Sequence, residues 1–309
     1  MKKKINRNLF ILLFLIPSCV CLLVFYIYPI IQILITSFYK WDYTNLANPE
    51  ILPAGELLSN YEYIFTKYPY FWEALGNSLC WALVGIFIQV PLTLVVAIAI
   101  SKGLRFSRFA RNVYIIPSVI SSAAMGLIFL QLYNARYGPI QEIIKMFKPD
   151  FRDSILLVEG ANVWAIVFAY VFFCGTTAIM LLGQIHGIAP ELYEAAMIDG
   201  AKGWKREWYV TIPLVKPTIK TVTTLAGTAG FLLYNEVFFL TNGAAGTKSI
   251  SFIIRELAIT SPRTQYARAN TIGVVQIVIG LILIAIINWL FSHDKYSLRM
   301  RRKGGRNEG

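Results

Sequence analysis

Six long apolar blocks punctuate the chain, at 9–38, 75–100, 113–133, 163–182, 222–240 and 272–291. About 20 consecutive apolar residues cross a bilayer as a helix. None of the blocks shows the period-two alternation of a barrel strand, and backbone groups in lipid must pair within their own segment. The pattern therefore predicts an all-α integral membrane protein with six transmembrane helices. Pro17 and Pro29 are the expected kink points of the first span. Met1-Lys-Lys-Lys followed by Ile16-Pro-Ser-Cys19 also resembles a lipoprotein leader. The apolar run continues far past Cys19, so a first span is the better reading.

Composition sharpens this. Hydrophobic residues make up 56% of the chain and charged residues only 15%, against about a quarter charged in soluble domains. A disordered chain, a disulfide scaffold and an ordinary soluble enzyme are excluded. The net charge of +12 lies on one side of the membrane. Lys2, Lys3, Lys4 and Arg7 precede the first span, and Lys102, Arg105, Arg108 and Arg111 follow the second. Lys202, Lys205, Arg206 and Lys216 follow the fourth, and Lys295 to Arg306 follow the sixth. Basic flanks mark the cytoplasmic face. Both termini are expected inside, with an N-terminus at 1–8, a permease domain at 9–292 and a basic tail at 293–309. These flanks meet anionic lipid, which argues against a nucleic-acid partner. Cys19, Cys21, Cys80 and Cys174 lie in apolar runs with no CxxC pair, and are expected to be small buried residues without a disulfide or metal role.

The segment at 187–217, between the expected spans four and five, is more than a linker. Pro190 suits a helix first turn, and Glu191 and Glu194 favour its positive end. Leu192, Ala195, Ala196 and Ile198 continue the helix, and Gly200 is a natural stop. Ile212-Pro213 and Pro217 mark re-entry into the membrane. On these residues alone, a surface helix that only joins two spans fits as well as one that docks a partner.

A resemblance adds direction. The run Glu191-Leu-Tyr-Glu194-Ala195-Ala196-Met-Ile-Asp199-Gly200-Ala201, with Ile212-Pro213 downstream, resembles the EAA signature of permease subunits in binding-protein-dependent ABC importers, most of all the sugar-importer branch (carbohydrate uptake family 1). Phe71-Trp-Glu-Ala-Leu-Gly-Asn77, Tyr114-Ile-Ile-Pro117, Tyr133-Asn-Ala-Arg-Tyr137-Gly138-Pro139 and Tyr266-Ala-Arg-Ala269 extend it over nearly the whole chain. The resemblance implies a type I importer permease in which Glu191, Glu194, Ala195, Ala196, Asp199, Gly200 and Ala201 form a cytoplasmic coupling helix, seated in a groove of an ATPase subunit. It also implies the partners: a second similar permease, two ATPase subunits and an external solute-binding protein. Two departures stand out. Glu207 occupies a position that is usually aromatic or apolar, which leaves the packing there open. Gly243-Ala-Ala-Gly246 replaces a frequent Gly-Gly-Pro run in the last external loop.

No P-loop is present. Gly243-Ala-Ala-Gly-Thr-Lys-Ser249 has the wrong spacing and falls on the expected external side. The chain is expected to be no enzyme and to hold no cofactor, with ATP hydrolysed elsewhere. For the solute path, Tyr234, Asn235 and Glu236 combine an aromatic face with amide and carboxyl groups inside the fifth block. A buried acid in a span faces a cavity or a partner, so Glu236 could equally make a polar contact between helices. Gln89 and Gln131 read as glue between helices.

The expected function is import of a sugar or oligosaccharide. A polyol or glycerol phosphate is the nearest alternative, but the balanced external loops offer no strong field for an anion. An ion-coupled secondary transporter is disfavoured by the lack of an internal repeat, and a membrane enzyme by the lack of a nucleophile–base cluster.

Overall fold

The computed structural model describes residues 7–103, 107–172 and 174–292. Residues 1–6, Arg105 and the basic tail at 293–309 lie outside them. The expectation of a helical protein holds. Among the described residues, the only strands are Tyr39–Lys40 and Glu50–Ile51, paired antiparallel with Tyr39 opposite Ile51.

Four helical runs are long and apolar enough to cross a membrane: Ile11–Thr36, Phe71–Ser101, Ala161–His186 (described as the helices Ala161–Phe172 and Gly175–His186) and Tyr266–Ser292. They match the first, second, fourth and sixth apolar blocks. The other two blocks are interrupted, which corrects the expectation of a continuous helix in each. The third becomes Ser107–Val119 and Ser122–Leu132. Between them Ser121 turns extended (ψ 146°), and its hydroxyl accepts the Ala124 N–H at 3.3 Å, capping a new helix. The fifth becomes Ile212–Phe231 and Asn235–Leu240. Gly230, a weak helix former, lies in the closing turn of the first piece, where its carbonyl takes the Leu233 N–H.

Five single π-helical turns occur among the described residues, at Leu23–Ile27, Tyr63–Lys67, Gly85–Gln89, Glu207–Thr211 and Glu256–Thr260. Each ends two residues before a proline: Pro29, Pro69, Pro91, Pro213 and Pro262. A proline in a helix has no N–H, and its ring collides with the carbonyl four residues back. Here that carbonyl (of Phe25, Phe87 or Tyr209 in the three turns that continue as helix) sits inside the widened turn. The kink expected at Pro29 is thus a change of hydrogen-bond register, as Tyr28 N–H bonds the Leu23 carbonyl. The other two turns end in extended Tyr68 and Ser261, as residues before proline prefer.

The chain forms two compact units. The first comprises residues 7–71 and 253–278. Asn60 organises it, donating from Nδ2 to the Ser37 and Tyr39 carbonyls, both at 2.9 Å. Trp41 stacks on Tyr266 with centroids 5.1 Å apart, and its carbonyl takes the Ala267 N–H at 3.0 Å. Asn270 Nδ2 donates to Thr36 Oγ1 at 2.7 Å. These bonds join the end of the Ile11–Thr36 run to the start of the Tyr266–Ser292 helix.

The second unit comprises residues 72–252 and 279–292 among those described. One of its cores gathers Trp81, Phe129, Tyr133, Tyr170, Val237 and Phe252; another gathers Val90, Ala97, Leu181, Ile185, Val215 and Val222. Between the Phe71–Ser101 run and the Ile212–Phe231 helix the backbones nearly touch. A Cβ on Gly85 would stand 2.6 Å from the Ala226 carbonyl oxygen, and one on Gly230 would collide with the Trp81 carbonyl. Small residues permit such crossings where lipid supplies no hydrophobic drive between helices.

Cys19, Cys21 and Cys80 are exposed, and only Cys174 is buried. The expectation of burial fails for three of the four because their helices present apolar outer faces, where an apolar side chain need not be inside the protein.

Candidate functional site

The helix expected at the cytoplasmic surface runs from Pro190 to Ile198. Pro190 takes the first-turn position, where its missing N–H costs nothing. At the other end Gly200 adopts φ +83°, and the Ala201 and Gly200 amides close back onto the Ala196 and Met197 carbonyls. This double closure needs a residue at ease with positive φ. Glu191, Glu194, Ala195, Asp199 and Gly200 are exposed, and Ala196 and Ala201 half-buried. Leu192 and Met197 are also exposed, and Ile198 is 86% exposed. The helix thus presents carboxylates, small residues and a bare apolar knob on one short element.

Its underside is tied down. Tyr193 Oη lies 3.1 Å from Thr211 Oγ1, and the Arg206 guanidinium sits 4.9 Å from the Tyr193 ring centroid. Glu207, the departure from the family pattern, is only 2% exposed. Its Oε1 receives Lys102 Nζ at 3.0 Å and Arg206 Nε at 3.1 Å, and its Oε2 receives Thr211 Oγ1 at 2.7 Å. Burial alone would push this carboxyl up. The Thr211, Lys102 and Arg206 hydrogen bonds and the Lys102 charge outweigh it and hold Glu207 below the ordinary carboxylate range. The open question about packing at this position is answered by an ion-pair cluster in place of an apolar contact.

Tyr234, Asn235 and Glu236 come together at one cavity of about 450 Å³, a size typical of small-molecule sites. They sit where the broken fifth segment restarts as the Asn235–Leu240 helix. Asn235 Nδ2 donates to Ser122 Oγ at 2.8 Å, beside the break in the third segment. Tyr234 stacks on Phe238 at 5.6 Å. No salt bridge to Glu236 forms among the described residues. Gln89 lines the same cavity while donating from Nε2 to the Tyr170 carbonyl at 3.2 Å, so it is both glue and wall. Tyr170, Thr176 and Thr177 complete the polar lining. Sequence reasoning missed these three. Tyr170 is one aromatic in a uniformly apolar run, and the only signal for the threonines was their adjacency after Gly175. Gln131 takes the Tyr137 hydroxyl at 2.7 Å instead of bridging two spans.

The loop holding Gly243-Ala-Ala-Gly246 is well held despite its departure from pattern. Asn77 Nδ2 donates to the Gly246 and Lys248 carbonyls, and Asn162 Nδ2 to that of Ala245. The Thr and Ser of the false P-loop are structural here. Thr247 bonds Thr241 at 2.7 Å, and Ser249 Oγ takes the Phe252 N–H, capping the Ile250–Arg255 helix.

Residues 89–293 match the family described as the inner membrane component of binding-protein-dependent transport systems. The chain is 30% identical to the "Probable ABC transporter permease protein YurN" of Bacillus subtilis (strain 168), over 90% of this chain and 96% of YurN. It is 28% identical to the lactose transport system permease protein LacF of Rhizobium radiobacter, over 94% of each chain. Its fold resembles a chain of a bacterial ABC transporter that imports the acidic polysaccharide alginate, with a TM-score of 0.77, 18% identity and coverage of 95% of this chain and 98% of that one. With the EAA run on an exposed helix and the match covering most of the length, the chain belongs to the family of inner membrane components of binding-protein-dependent transport systems.

Proposed function

We propose that this chain is a pore-forming permease subunit that carries a sugar or oligosaccharide across the cell membrane, driven by ATP hydrolysed on separate subunits. The observation that carries the reading lies within one unit: an exposed EAA helix and a cavity lined by Tyr234, Asn235, Glu236, Gln89 and Tyr170. Aromatic faces with amide and carboxyl groups suit a polyhydroxyl solute. The sugar named for LacF supports the solute class.

In this reading the membrane is crossed six times. The broken segments 107–132 and 212–240 serve as the third and fifth spans, and both termini face the cytoplasm. Glu191, Glu194, Ala195, Ala196, Asp199, Gly200 and Ala201 seat in a groove of one of two ATPase subunits. A second homologous permease completes the path, and an external binding protein delivers the solute. Nucleotide closes the ATPase pair and carries the helix with it. The bundle then turns outward, and hydrolysis returns it. This biases two states of the bundle without chemistry on the solute, and needs no cofactor in this chain.

Reconstitution with the partner subunits in proteoliposomes tests the reading. Uptake of the sugar held by the companion binding protein should require internal ATP and survive an ionophore. Uptake that persists without ATP and collapses with the ionophore contradicts it.

A further inference from the structure

We infer that Glu207 is a positioning residue that pins the Pro190–Ile198 helix to the end of the Phe71–Ser101 run, giving motion of that helix a direct route to a membrane span. This deepens the proposed function and rests on reading Pro190–Ile198 as the coupling helix.

The carboxylate joins Lys102 to Arg206 and Thr211, the two residues that in turn touch the Pro190–Ile198 helix. Lys102 is the residue that closes the Phe71–Ser101 run, its own N–H bonding the Ile98 carbonyl. A cation there also suits the negative end of the helix. Its Nζ reaches Glu207 Oε1 and stands 5.7 Å from the Trp204 ring centroid. Arg206 and Thr211, both bonded to Glu207, are the two residues that hold Tyr193 on the Pro190–Ile198 helix. Without Glu207, the contacts from Tyr193 end in the loop that follows. With it, they continue to Lys102.

Stability alone does not explain this choice. A buried ion pair gains little over an apolar side chain of similar volume, because both charges lose water. What an apolar side chain cannot do is select one geometry, since it has no directional bonds. Glu207 uses both oxygens and three donors, so only one placement of Lys102, Arg206 and Thr211 satisfies it. Lys102 keeps a 24% exposed side chain. That half of the pin is reachable by solvent and can part and re-form as states alternate.

The test uses the complete transporter with its ATPase subunits and binding protein, in variants Glu207→Gln, Lys102→Met, the double variant and Glu207→Phe. Two readouts are taken: amide hydrogen exchange over residues 190–201, and ATP hydrolysis stimulated by the binding protein. The pin predicts faster exchange and an about fivefold loss of stimulation in either single variant, with the ATPase subunits still co-purifying. The double variant should be no worse than the singles, because the interaction is already lost. Glu207→Phe should pack without restoring stimulation. Wild-type exchange and stimulation in both single variants overturn the proposal, as does full recovery by Glu207→Phe. Ala195→Trp separates the two readings: if the ATPase subunits stay attached and stimulated in that variant, the coupling-helix reading fails. The exchange data on Glu207→Gln and Lys102→Met then still decide whether the pin exists.

Discussion

The Ala201 amide donates to the Ala196 carbonyl at 2.8 Å, wrapping the end of the Pro190–Ile198 helix around a Gly200 at φ +83°. A side chain in that conformation costs about 1–2 kcal/mol, although nothing lies within 4 Å of the Cβ that would be added. Gly200→Ala should therefore fray the helix end through backbone strain alone. The expected outcome is faster amide exchange at 196–201 and reduced ATP-driven uptake. Unchanged exchange would mean that the closure contributes nothing to the helix.

The cavity makes a separate prediction. Asn235→Ala removes one polar partner for a hydroxyl-rich solute together with the bond to Ser122, and Glu236→Gln removes the charge and exchanges one acceptor oxygen for an N–H donor. One net hydrogen bond corresponds to about fivefold in apparent affinity. Uptake titrations should show that shift in each variant. Unchanged affinity and rate in both would remove these residues from the solute path.

The close crossing of the Phe71–Ser101 run and the Ile212–Phe231 helix predicts asymmetric glycine substitutions. Gly230→Val places atoms into the Trp81 backbone, and overpacking costs about 1–3 kcal/mol. Gly76 lies in the Phe71–Val84 helix with open space around its missing Cβ. Gly76→Ala should stabilise by about 0.5–1 kcal/mol. Thermal unfolding of the purified subunit should move down for the first and up for the second. An unchanged or raised unfolding temperature in Gly230→Val would contradict the crossing.

Glu207 sets a pH window. Burial raises its pKa, but the bonds from Thr211, Lys102 and Arg206 and the Lys102 charge lower it further, so the folded value lies below the ordinary 4.5. Lys102 and Arg206 are the charged groups that face it. The carboxylate's stabilisation is therefore full above 4.5 and is lost only as pH falls through the lower folded value. Exchange protection over 190–201 should stay flat from neutrality down to the ordinary carboxylate value and drop below it. In Glu207→Gln this acid-dependent drop should be missing. A loss of protection already near neutrality in the native chain would contradict the ion-pair cluster.

Much of this was readable from residue order. Pro190 and Gly200 marked both ends of the surface helix, because each carries a local backbone constraint that tertiary contacts do not override. Tyr234, Asn235 and Glu236 stood out as polar chemistry in an apolar block. The interruptions at Ser121 and at 232–234 were hidden, since hydropathy averages over a span and does not register a capping hydroxyl. The π turns did leave a local mark, a proline two residues on, but the same proline also fits a simple kink. The partners of Glu207 were out of reach. Lys102 lies in a distant segment that reads as a basic flank, and only the fold brings it to the carboxylate.

The central claim is that a separate motor grips the Pro190–Ile198 helix. Ile198, the most exposed large apolar residue of that helix, is the place to measure it. With Cys19, Cys21, Cys80 and Cys174 replaced, Ile198→Cys should form a disulfide with a cysteine in the surface groove of the co-expressed ATPase subunit in native membranes, and nucleotide should change the yield. No cross-link to any groove position, with ATP-driven uptake intact in the same membranes, would contradict the account.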